Sequence, residues 1–208
     1  MERLVKRSYL LTSLSYFSLC CISSLAKVSF IIGSQAAFFS LMGITAPAIG
    51  IFGGLYMLFF VGLFKTLFSA LLGGAIVLPC LYFLTHIAAA FYFNNNSRLR
   101  LFIPLLAMLI FWIHPNGSFY YSLLWVIPVL GIIFDKNVFF RALGATFSAH
   151  AVGSLIWLFT VPMTSLTWFG IIPVALIERS LFAVGISLVY YAVHKLVKSV
   201  HSVSKLEA

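Results

Sequence analysis

Glu178 and Arg179 stand side by side within "IPVALIERSLFAVGISLVYY" (172–191), an otherwise apolar run long enough to cross a bilayer. Acidic residues are scarce in this chain: Asp and Glu total 4, against 13 Lys and Arg. An ionisable side chain at the bilayer centre costs about 2.5–3.5 kcal/mol, so it normally faces protein or a water-filled cavity. Adjacent helical positions point about 100° apart, so the two charges do not share one partner face. The residues three and four positions from Glu178 are Val174, Ala175, Leu181 and Phe182, and none neutralises a carboxylate. Glu178 is therefore expected to find its partner on another helix or in a ligand. Lys65, inside the run 50–72 and at comparable depth, is the candidate cation. Three readings stay open: a packing brace with Lys65, or with Arg179 and backbone; polar contacts to a bound solute or ion; and a snorkelling Arg179 beside a protonated Glu178.

His150 lies in "ALGATFSAHAVGSLIWLF", where Ala145, Ala149 and Gly153 recur every four residues. Such a stripe lets another helix approach closely. It serves either a contact within this chain or docking onto a separate membrane subunit, and His150, one position away, is expected to hydrogen-bond across that contact. His86 carries the same packing reading. Cys20, Cys21 and Cys80 all lie in apolar segments, without metal-ligand spacing or a disulfide framework.

Covalent chemistry has little to work with. No serine elbow, no HExxH and no pair of aspartates in adjacent apolar runs is present, and no glycine loop precedes a lysine. "HPNGSFYY" (114–121) holds His114, Asn116 and Ser118, but a Pro-Asn-Gly turn accounts for it. No catalytic residue, metal site or cofactor is assigned.

The elements that must position these residues follow from composition. The chain of 208 residues is 62% hydrophobic and 8% charged, with a mean hydropathy of +1.11. Soluble domains are about 45–50% apolar and about 25% charged. The expected fold is all-α: a polytopic integral membrane bundle forming one transmembrane domain over 1–208. Apolar segments lie at roughly 8–26, 30–48, 50–72, 74–93, 101–113, 119–134, 138–160 and 169–194, giving six to eight helices, one or two of them broken or re-entrant. The first follows Arg3, Lys6 and Arg7, and reads either as a span or as a signal peptide.

Net charge is +9, yet the placement of the cations points to a membrane rather than to nucleic acid. With the N-terminus inside, the inner segments are 1–8, a turn near 48–50, 94–100, 135–141 and the tail from Lys195. They hold Arg3, Lys6, Arg7, Arg98, Arg100, Lys136, Arg141, Lys195, Lys198 and Lys205, ten of the 13 cations. The outer loops, Lys27–Gln35, a turn near Gly73, 114–118 and 161–168, hold only Lys27. The positive-inside rule thus places both termini in the cytoplasm. Trp168 in the last outer loop reads as an interface anchor, or the loop lines a mouth.

Two stretches resemble the substrate-binding S components of energy-coupling factor vitamin transporters. "ITAPAIGIFGGLYMLFFVGLFKTLFSALLGG" (44–74) is similar to a segment in which an apolar helix meets a Gly/Pro turn, here Ala46, Pro47, Gly50 and Gly53–Gly54, with Gly62 in the helix that follows. "LGATFSAHAVGSLIWLF" and "FGIIPVALIERSLFAVGISL" look like the last two helices of the biotin-type members, whose final helix opens with a proline turn, then an acidic and a basic residue near the substrate; Pro173, Glu178 and Arg179 stand there. The resemblance implies a small subunit in a bacterial cytoplasmic membrane. It would capture a vitamin-like solute at its outer face and dock on a transmembrane coupling subunit driven by cytosolic ATPases. Glu178, Arg179 and Lys65 are then the expected solute contacts, and Ala145, Ala149, His150 and Gly153 the docking face. Two other functions stay open: a membrane enzyme acting on lipid or isoprenoid, and a structural subunit without ligand.

Overall fold

The computed structural model describes residues 18–23, 26–30, 38–71, 73 and 77–206. The fold is helical, with one short antiparallel hairpin, β1 (Lys27–Phe30) paired to β2 (Phe38–Ser40). Residues 18–23 are helical, and the helices described after the hairpin are α1 (Met42–Leu71), α2 (Val77–Asn94), α3 (Phe102–Ile113), α4 (Phe119–Ser122), α5 (Val126–Gly131), α6 (Val138–Thr160), α7 (Ser165–Gly170) and α8 (Ile172–Leu206). Among the described residues, two helical stretches are long and apolar enough to cross a membrane, Val138–Thr160 and Ile172–Lys195.

The turns carry the chemistry that ends helices. Asn137 caps α6, its side-chain oxygen accepting from the Phe139 N–H at 2.9 Å, and Thr164 caps α7. Gly73 follows α1 with φ +73°, a left-handed conformation that glycine adopts without steric cost.

The segments expected at 30–48 and 50–72 are not two spans. The first begins in the hairpin, and its end joins the second in one unbroken helix, α1, so the turn expected near 48–50 is absent. Pro47 sits six residues into that helix, where only one intrahelical donor is lost. Segment 119–134 is also irregular: α4, a 3-10 turn at Leu123–Trp125, then α5. The expected spans at the N-terminus fall largely outside the described residues, which include only 18–23 of them.

Helix α6 holds the centre, packing against α2, α3, α5 and α8. Around it polarity is inverted. On α8 the exposed residues Ile177, Leu181, Val184, Leu188 and Tyr191 recur every three or four positions, while Arg179 is buried with Ala175, Phe182, Ala183 and Ile186. On α1 Phe60, Leu63, Phe64, Leu67, Phe68 and Leu71 are exposed. Each large apolar side chain left in water forgoes about 1.5–3 kcal/mol, so this surface suits hydrocarbon.

The connections gather at two ends. At one, Arg141 bonds Asn96 and Arg100 bonds Asp135, joining 94–100 to 135–141. At the other, the Ser165 hydroxyl donates to the Gly117 carbonyl at 2.7 Å and His114 packs on Phe159. Two of the segments assigned to one side from charge lie together, as do two of those assigned to the other.

Candidate functional site: a buried polar column

The Arg179 guanidinium is 5% exposed and lies over the Phe182 ring, 4.6 Å from its centroid. Its Nη2 is 3.6 Å from Glu178 Oε2, and Glu178 retains 22% exposure. Among the expected readings of Glu178 was a brace with Arg179, and the two side chains do approach each other along α8. Phe182, unable to neutralise a carboxylate, serves as platform for the cation beside it, an interaction worth about 2 kcal/mol or more when desolvated. The Lys65 side chain lies outside the described residues.

Above the pair stands a hydrogen-bonded group that sequence reasoning missed. The Tyr121 hydroxyl is 2.7 Å from His150 Nε2 and 2.9 Å from Ser154 Oγ. Tyr121 and His150 lie within electrostatic reach of Arg179. Below, Thr146 Oγ1 donates to the Arg179 carbonyl at 3.2 Å and to the Leu143 carbonyl at 2.9 Å, tying α6 to α8 at the level of the charge. Tyr121 lies in the stretch read as a mere turn. Ser118 does cap that turn, and in doing so aims the following tyrosine inward.

Aromatic rings close the column toward the loop at 161–168. Trp168 is 2% exposed, with its ring 4.8 Å from Tyr121 and 5.1 Å from Phe111; Trp125 stands 4.8 Å from Phe111. The expected interface anchor is thus a core residue, because α7 folds its loop back over the bundle. The indole N–H groups of Trp125 and Trp168 are buried without hydrogen-bond partners.

The stripe Ala145, Ala149 and Gly153 is met by α2. Ala145 and Ala149 pack in a cluster with Ala89, Tyr92 and Phe93, and a methyl placed on Gly153 would stand 3.6 Å from the Thr85 methyl. His150 bonds a residue of α4 rather than of α2, so it belongs to the polar column and not to the stripe.

A second charged cluster occupies the opposite end. Arg100 and Arg141 both address Asp135 Oδ1, at 2.8 and 3.9 Å. Arg141 also donates to the Phe93 carbonyl and to Asn96, and Tyr92 donates to the Pro128 carbonyl beneath Arg100.

Comparison with protein-family models, with curated proteins and with solved structures returns no match. The functional reading therefore rests on the geometry.

Proposed function

We propose that this protein is a polytopic membrane subunit that binds a small polar, vitamin-like solute at Glu178 and Arg179 and takes part in its uptake. The observation that carries the reading is the unsealed pair: a guanidinium fixed in the bundle interior beside a carboxylate that keeps 22% of its surface accessible. A buried cation in a membrane interior is costly unless it serves a partner. Tyr121 and His150 supply further donors and acceptors, and Trp168, Phe111 and Phe182 supply faces for a planar ring. The exposed apolar stripes of α1 and α8 support placement in a bilayer. The charge pattern of the sequence supports both termini inside, and the S-component resemblance suggests a bacterial cytoplasmic membrane. A coupling subunit and cytosolic ATPases are the partners that the S-component resemblance suggests, with binding and reorientation rather than covalent catalysis as the mechanism.

A second reading, a packing brace without ligand, is favoured by one observation. A cavity of about 580 Å³ lines the turn at 132–140, at the other end from the pair.

The test is a thermal-shift screen of the purified protein against vitamins and nucleobase derivatives, repeated with Glu178→Gln. A compound that raises the melting temperature of the native protein and not of the variant is expected. Compounds that stabilise both equally would remove Glu178 from the site, and a screen without hits leaves the brace.

A further inference from the structure

The charged cluster at the 94–100 and 135–141 end holds more cation than its own anion neutralises. Arg100 and Arg141 share one oxygen of Asp135, while Arg98 and Lys136 are exposed and form no ion pair among the described residues. The two joined turns, 94–100 and 135–141, thus carry four cations and one carboxylate. Arg100 is 2% exposed, and its Nε is buried without a hydrogen-bond partner among the described residues. An unsatisfied donor on a buried cation is destabilising, and an incoming acceptor oxygen relieves it.

Asp135 and Lys136 line the open cavity of about 580 Å³. Beside Asn137 its remaining wall is apolar: Ile132 lines it, Ile133 and Phe134 are exposed, and Phe140 packs against Phe134 with ring centroids 5.0 Å apart. Beside the cluster, Leu99 and Phe102 also point outward. A soluble anion has no use for those apolar walls. An amphiphile does, laying its phosphate on the cations and its chains along Ile133, Phe134 and Phe140.

The geometry points to a binding site for the phosphodiester headgroup of an anionic phospholipid, on the leaflet at this end of the bundle. Basic pockets at the cytoplasmic ends of membrane helices hold such headgroups by the same combination of charge and apolar support. Asp135 holds Arg100 and Arg141 in place, while Lys136 and Arg98 supply the uncompensated charge. This inference rests on the membrane placement proposed above and not on the solute site at Glu178.

The experiment uses the whole protein, reconstituted in phosphatidylcholine nanodiscs with increasing phosphatidylglycerol. Co-retained lipid is measured by native mass spectrometry after detergent release. Phosphatidylglycerol is expected to be retained in preference to phosphatidylcholine, with the preference falling about fivefold in Lys136→Gln or Arg98→Gln and about twenty-fivefold in the double variant. Both side chains are exposed, so melting temperatures should not move, and unchanged melting separates lost binding from lost folding. Millimolar inorganic phosphate should leave the retained lipid in place. Equal retention of the two lipids, a double variant that keeps the native preference, or displacement by phosphate would overturn the lipid site. Failure of the protein to enter nanodiscs would instead overturn the membrane placement itself.

Discussion

At the scale of single residues the two members of the charge pair are not equivalent. Arg179 is enclosed and rests on Phe182, whereas Glu178 is partly open. Removing the guanidinium leaves a carboxylate in a low-dielectric surround and a cavity beside Phe182. Arg179→Ala should therefore lower the unfolding free energy by about 2–4 kcal/mol, read as a loss of thermal stability in detergent. Glu178→Gln keeps the shape and the ring contact, so it should cost less than half as much. An equal loss in both variants would mean that the ion pair, not the enclosure of the cation, governs stability. Tyr121 allows a second comparison. Tyr121→Phe strips two partners at once, His150 and Ser154, and should cost about 1–3 kcal/mol; Ser154→Ala removes only one of the two bonds and should cost about 1 kcal/mol. The charge pair was visible in the sequence because a Glu in an apolar run is conspicuous. The tyrosine was not, because its neighbours His114, Asn116 and Ser118 spell a turn, and only the packing of α4 on α6 reveals what the tyrosine faces.

At the scale of elements, regular apolar length was legible and irregular backbone was not. The segment predicted at 138–160 coincides with α6, and 101–113 differs from α3 by one residue. The prediction failed at 30–48, expected as one apolar segment separate from 50–72. Gly43 and Pro47 instead fall within the first turns of α1, while β1 and β2 pair upstream through backbone hydrogen bonds that no side-chain period announces. Helix contacts show the same limit. The stripe on α6 was correctly seen as small, but the position of closest approach is Gly144, which does not belong to it. A methyl group there would collide with the Tyr92 ring. Tyr92 cannot give way cheaply, being held by the Pro128 carbonyl and covered by Arg100. Gly144→Ala should therefore destabilise by about 1–3 kcal/mol. Gly153→Ala meets only an ordinary contact with Thr85, so the helix propensity gained, up to about 1 kcal/mol, should leave it neutral or slightly stabilised. If melting curves reverse that order, the packing of α2 on α6 is not as described.

At the scale of the whole molecule, the distribution of loops between two ends bears directly on sidedness. Charge counting assigned 94–100 and 135–141 to the inside, and 114–118 and 161–168 to the outside, without knowledge of which loops touch. The structure joins the first two through Arg141 and Asn96, and the second two through Ser165 and Gly117. A helical protein folded in water has no reason to sort cationic turns to one end, since hydrated lysines and arginines are equally comfortable at either. A bilayer does impose that sorting. Single cysteines placed at exposed turn positions, in a chain whose Cys20, Cys21 and Cys80 have been replaced by Ala, test it in intact cells. Asn116→Cys and Thr167→Cys should react with a membrane-impermeant maleimide added outside. Ser97→Cys and Lys136→Cys should react only after the membrane is permeabilised. Reaction of Asn116→Cys and Lys136→Cys from the same side would break the alternation of loops. Reaction of all four without permeabilisation would remove the bilayer from between the two ends, and the surface of α1 and α8 would then require a protein partner instead of lipid.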